Sequence, residues 1–124
     1  MTSIVLVDDQ ELLRMGFRMV LDSQPDLEVV DEAGNGREAI ALVDRRWIPD
    51  AAVLDLDMPL VDGLSVCRYL HSLDEDIRIV VVTGVEDRGP EAFGAGASEV
   101  LTKPCGREEL VEALLHLSAS FGVA

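Results

Sequence analysis

The chain has 124 residues, a length that predicts one domain spanning residues 1–124. At 48% hydrophobic it is too apolar for a disordered tail, and at 4% aromatic its core must be built from Val, Leu, Ile and Ala. Ten basic against 24 acidic residues leave a net charge of -14, a surface that repels nucleic-acid phosphates and anionic lipid and favours cations or basic partners.

Short β-branched runs alternate with longer amphipathic stretches along the whole chain. Residues 4–7 (Ile4-Val5-Leu6-Val7) do not alternate, which predicts a strand buried on both faces. Residues 11–21 predict a helix with Leu13, Phe17, Val20 and Leu21 at helical spacing and Pro25 beyond its end. Residues 27–31 predict a second, short strand. Residues 36–46 predict a helix with Ala39, Ile40 and Val43 on one face. Residues 51–54, preceded by Pro49, predict a third strand, and 63–73 a helix with Val66, Cys67, Leu70 and Leu73 inward. Residues 77–82 form the most apolar strand. The glycine-rich stretch 89–96 permits one or two helical turns at most, with Pro90 suited to the first position and Gly94 or Gly96 to the exit. Val100 and Leu101 end a short fifth strand. Residues 107–117 predict the last helix, with Leu110, Val111, Leu114 and Leu115 inward.

This (βα)5 alternation predicts a parallel sheet with helices on both faces and right-handed crossovers. The longest apolar runs, residues 3–7 and 77–82, fall far short of the ~20 residues that span a bilayer, so no membrane association is expected. Met1-Thr2-Ser3 carries no basic n-region of a signal peptide. Cys67 and Cys105 make no disulfide framework and read as two buried or half-buried thiols of a reducing cytoplasm.

In such a sheet ligands bind outside the carboxyl ends of the strands. The first strand ends in Asp8-Asp9, the third in Asp55, followed by Leu56-Asp57, the fourth in Thr83-Gly84 and the fifth in Thr102-Lys103-Pro104. Asp8, Asp9 and Asp55 would repel one another and raise each other's pKa. A hard divalent cation with oxygen ligands relieves this, and Mg²⁺ fits best because it leaves positions for phosphate oxygens. Lys103 is a mobile point charge suited to a phosphoryl oxygen, and Thr83 can donate one hydrogen bond to another. A carboxylate between a metal, a lysine and a hydroxyl is set up as a nucleophile for phosphoryl transfer. Each piece alone is commonplace: an Asp-Asp pair after a strand usually makes a turn or a cap, and Asp9 is placed to cap the helix starting at Glu11. Their joint occurrence, in order, at the strand ends of one sheet is what points to a site.

These residues, Ile4-Val5-Leu6-Val7-Asp8-Asp9, Val53-Leu54-Asp55-Leu56-Asp57-Met58-Pro59-Leu60-Val61-Asp62-Gly63, Val81-Val82-Thr83-Gly84 and Lys103-Pro104, resemble a response-regulator receiver domain of two-component signalling. The likeness covers essentially the whole chain. Gly34-Asn35-Gly36-Arg37-Glu38-Ala39 is most similar to receivers that carry a C-terminal helix-turn-helix DNA-binding output domain. The resemblance implies a flavodoxin-like doubly wound sheet of strand order 2-1-3-4-5. It implies that Asp55 accepts a phosphoryl group from a sensor histidine kinase or phosphotransfer protein. Asp8, Asp9, Asp55 and the backbone carbonyl of Asp57 would hold Mg²⁺, with the Asp57 side chain facing the site entrance. Thr83 would be the switch hydroxyl and Lys103 the phosphoryl partner, aimed by Pro104 after a cis peptide bond. The domain itself would bind no nucleic acid and turn over no metabolite; an output domain, where present, would bind DNA. The resemblance also leaves room for a homodimer.

Two departures stand out. Receivers usually carry Tyr or Phe three residues before the lysine, where this chain has Val100. Thr83 and Lys103 are 20 positions apart (103 − 83), a little short for the family, and the deficit falls in residues 89–96, predicting a shortened fourth helix. Both lie where such domains report phosphorylation, so the signal is expected to travel through the glycine-rich stretch 84–96 rather than a ring at position 100. Two other readings compete. One is a receiver-like scaffold kept as a protein-binding surface. The other is a dehalogenase-type phosphatase with Asp55-Leu56-Asp57 as its nucleophile motif, which leaves Asp8-Asp9 unexplained.

Overall fold

The computed structural model describes residues 1–44, 46–58, 61–84 and 88–119. Pro59 and Leu60 of the loop after Met58, and residues 85–87 of the expected signal route, lie outside the described residues. Five strands, β1 (Thr2–Val7), β2 (Leu27–Ala33), β3 (Ala51–Asp55), β4 (Arg78–Thr83) and β5 (Glu99–Thr102), alternate with five helices, α1 (Glu11–Asp22), α2 (Gly36–Leu42), α3 (Gly63–Leu73), α4 (Gly89–Gly94) and α5 (Arg107–Ala119). All strand pairs are parallel, in the order β2-β1-β3-β4-β5. The sheet is the flavodoxin-like one expected.

The apolar runs of the central strands are explained by two cores. Val5, Val7, Ala52, Leu54, Ile79 and Val81 face one side, with Ala39 of α2, Val66, Cys67 and Leu70 of α3 and Ala92 of α4. Ile4, Leu6, Ala51, Val53, Val80 and Val82 face the other, with Phe17 and Leu21 of α1 and Leu110 and Leu114 of α5. Successive side chains of a strand point to opposite faces, so a strand covered on both faces must be apolar throughout. The edge strand β2 has exposed residues at Glu28, Val30 and Asp31 instead.

Most element ends fall within two residues of expectation. The largest departure is α2, expected to reach Arg46 but ending at Leu42. Val43 leaves the helix with extended backbone, and its carbonyl accepts from the Tyr69 hydroxyl at 3.0 Å. Asp44 then turns the chain: its side chain accepts from the Arg46 N–H at 2.8 Å and its carbonyl from the Trp47 N–H at 3.1 Å. An aspartate that bonds nearby backbone offers the chain an alternative to helix. The fourth helix is short, as expected, with six residues.

Two glycines let loops press onto the end of the sheet. A Cβ on Gly63 would lie 2.5 Å from the Asp55 carbonyl oxygen and from Leu56 Cα, and one on Gly36 would lie 2.1 Å from the Val61 carbonyl oxygen. Gly63→Ala is therefore expected to lower stability in urea unfolding by about 1–3 kcal/mol, the range for overpacking against atoms that cannot yield. Gly94→Ala, where a Cβ meets nothing within 4 Å, is expected to be neutral or to gain up to about 1 kcal/mol.

Candidate functional site

β1 delivers the first two carboxylates. Its last residue, Val7, pairs with Ala33 of β2, and the Asp8 N–H continues the ladder onto the Ala33 carbonyl at 3.1 Å. Asp8 is thereby held at the rim, 5% exposed, while Asp9 is exposed to solvent. The Asp8 carboxylate accepts from the Gln10 N–H at 2.8 Å. The N-cap of α1 is Gln10, which makes no side-chain cap hydrogen bond. The expectation that Asp9 caps this helix is thus not met, because α1 starts at Glu11 and the side-chain bond in this turn comes from Asp8 instead.

Asp55 is the last residue of β3 and is 2% exposed. The chain beyond it is pinned to β4 by a bond from the Leu56 N–H to the Val82 carbonyl at 3.3 Å. The Asp57 N–H donates to Asp55 Oδ1 at 3.0 Å. Lys103 Nζ lies 3.1 Å from the same oxygen. Lys103 is placed by the sheet: β4 and β5 pair Thr83 with Thr102, and the Lys103 N–H donates to the Thr83 carbonyl at 2.7 Å. The Lys103–Pro104 bond is cis, as expected. Thr83 is fully buried at the end of β4.

Asp8, Asp9 and Asp55 each offer an oxygen within 4.8 Å of the others. An all-oxygen, carboxylate-rich set matches a hard divalent cation and not a soft metal. Burial chiefly pushes the Asp8 carboxyl above the usual range; the Gln10 N–H opposes this, Asp55 and Asp9 add to it, and Lys103 opposes it.

The structure therefore brings Asp8, Asp9, Asp55 and Lys103 together and ties Thr83 to Lys103 through the main chain. The Asp57 side chain, expected at the entrance, is exposed and meets Arg88, with Nη1 at 3.3 Å from Oδ1. Two cationic neighbours escaped the sequence reading. Arg14 donates through Nη1 to the Asp8 carbonyl and through Nε to Glu32 Oε1 at 2.9 Å, tying the loop of Asp8 and Asp9 to β2. Its position four residues after Gln10, one turn into α1, was the available signal. For Arg88 there was none, since nothing local says that it meets a loop 31 positions earlier.

The family model of the response regulator receiver domain matches residues 4–115. The chain belongs to that family. It is 37% identical over 121 residues to the DNA-binding transcriptional activator DevR/DosR of Mycobacterium tuberculosis, covering 96% of this chain and 55% of that protein. It is 34% identical over 114 residues to a protein-glutamate methylesterase/protein-glutamine glutaminase of Rhodospirillum centenum, covering 89% of this chain and 29% of that protein. Among solved structures, a LuxR-family two-component response regulator from Aurantimonas is similar with a TM-score of 0.87 at 35% identity, covering 96% of this chain and 86% of that one. The receiver thus spans about half or less of these curated relatives. The family match leaves the phosphatase reading of Asp55-Leu56-Asp57 without support.

The buried Asp8 carries a stability consequence of known sign. Its folded-state pKa lies above the unfolded value near 3.8, so its contribution to folding is fully present below that pH and is lost as pH rises through the folded value. Asp8→Asn is expected to melt at a higher temperature than the wild-type protein at pH 7 without divalent metal, and the difference is expected to vanish near pH ~3, below both values. Calorimetry at the two pH values in a chelator checks this.

Proposed function

We propose that residues 1–124 form a phospho-acceptor signalling domain in which Asp55 takes a phosphoryl group from a phosphohistidine of a sensor kinase or phosphotransfer protein. The observation that carries this reading is the Asp55 carboxylate, buried at the end of its strand, with Lys103 at 3.1 Å and the Asp8 and Asp9 oxygens within 4.8 Å. An Asp55 oxygen forms the new bond to phosphorus as the bond to the donor nitrogen breaks, and the imidazole leaves with the electron pair. Lys103 stands ready to pair with a phosphoryl oxygen, and Thr83 to donate to another. Asp8, Asp9 and Asp55, with the Asp57 carbonyl, would hold Mg²⁺. When bound, the ion neutralises charge on the phosphoryl oxygens and relieves the repulsion among the carboxylates.

The domain acts on itself and releases no metabolite, so it is a switch rather than a metabolic enzyme. Its donor has an adjacent surface to meet. Leu12, Met15 and Met19 are exposed along α1, which begins two residues after Asp9. The similarity to a DNA-binding transcriptional activator supports a transcriptional output carried by a separate domain. No helix among the described residues is long and apolar enough to cross a membrane. The half-buried Val100 and the six-residue α4 favour one competitor, a receiver fold kept only as a binding scaffold.

Incubation with acetyl phosphate and Mg²⁺, followed by intact mass measurement, separates the readings. The acceptor reading expects one phosphoryl group per chain, lost on standing; the scaffold reading expects no change. Asp55→Asn should abolish uptake and remain folded. Asp57→Asn should retain uptake, since only its main chain is assigned to the metal. Uptake by Asp55→Asn at the wild-type level would overturn the assignment.

A further inference from the structure

The ion pair between Asp57 and Arg88 joins the acceptor to the start of α4. The Asp57 N–H donates to Asp55 Oδ1 at 3.0 Å, while its side chain lies 3.3 Å from Arg88 Nη1. Arg88 stands immediately before α4, and its Nε lies 3.6 Å from Glu91 in the first turn. The Asp57 carboxylate lies beside Gly84, where a Cβ would be 4.0 Å from Oδ2, so little bulk separates this pair from the mouth of the site. The Arg88 side chain is 26% exposed and the Asp57 side chain 43%. An exposed pair of this kind is weak and easily exchanged.

Phosphorylation changes the charge that Arg88 faces. A phosphoryl group carries about -1.5 to -2 charge and three strong acceptor oxygens. A guanidinium has donors in a planar fork that matches phosphate better than it matches a single carboxylate oxygen. We propose that Arg88 carries the charge change at Asp55 into α4: it rests on Asp57 while Asp55 is a free carboxylate, and moves onto phosphoryl oxygens when Asp55 is phosphorylated, drawing the start of α4 with it. This inference rests on the acceptor reading of Asp55. It supplies a route that needs no aromatic ring at Val100, whose single stiff χ angle cannot swing a large group.

The test uses the full chain with Mg²⁺ and beryllium fluoride as the phosphoryl mimic, followed by NMR. Saturation of the wild-type protein should shift the Arg88 Nε–H resonance and the amides of residues 91–95. Arg88→Gln should need up to about fivefold more mimic, the ceiling for an exposed pair, yet still saturate. At saturation its shifts at 91–95 should be lost, and Arg88→Lys should restore them in part. Without mimic, Asp57→Asn should already move the Arg88 Nε–H resonance. Full shifts at 91–95 in saturated Arg88→Gln, or an Arg88 resonance indifferent to both the mimic and Asp57→Asn, would overturn the proposal while leaving the acceptor reading intact. Failure of the wild-type protein to bind the mimic at all would overturn both.

Discussion

A carboxylate 2% exposed at the end of an apolar strand is the constraint around which the rim is built. Taking an ionised group out of water costs several kcal/mol unless partners replace the lost solvation. Asp55 has two on one oxygen: the Lys103 ammonium at 3.1 Å and the Asp57 N–H at 3.0 Å. Both are held by main-chain geometry rather than by side-chain packing alone. Lys103 follows the β4–β5 pairing, and Asp57 follows the loop pinned to β4 through Leu56. Asp55 is therefore positioned by the same strand register that builds the sheet.

The compensation is incomplete. Among the described residues, three carboxylates gather within 4.8 Å of one another with the Lys103 ammonium beside Asp55, so acidic groups outnumber basic ones there. The burial that lifts the Asp8 carboxyl makes this deficit costly to the folded protein. A divalent cation and an incoming phosphoryl group each change the balance at the same few atoms. Arg88 stands close to these atoms through its pair with Asp57. The rest of the molecule resists deformation, because both faces of the central strands are covered by close-packed helices. α4 is the lighter element, six residues long with only Ala92 buried.

The position of Val100 sharpens this division. It pairs with Val81 of β4 and packs, half-buried, on the core shared by α2, α3 and α4. A β-branched residue there has one stiff χ angle and carries no ring to turn. Asp55 thus sits at the carboxyl end of a central strand covered on both faces, while Arg88 stands at the start of a short helix and reaches the loop after Asp55 through a salt bridge.

The chain's own pattern determined the alternation of strands and helices, the burial of β1 on both faces, and the shortness of α4. It also determined which residues stand at the carboxyl ends of the strands, so Asp8, Asp9, Asp55, Thr83 and Lys103 were legible before any coordinates. The physical reason is that these properties are local: periodicity over a few residues sets the element, and the residue after its last apolar position sets the rim. The strand order followed from the family resemblance rather than from spacing. Only the tertiary structure decided what depends on two distant segments meeting. α2 stops at Leu42 partly because Tyr69, 26 positions on, bonds the Val43 carbonyl. Asp8 rather than Asp9 engages the backbone at the start of α1, and Arg14 reaches back to the Asp8 carbonyl because β2 lies beside β1. Arg88 meets Asp57 because the loops after β3 and β4 emerge side by side from adjacent strands. Charge pairs of that range leave no periodic trace in a sequence, since either partner alone is an ordinary exposed residue.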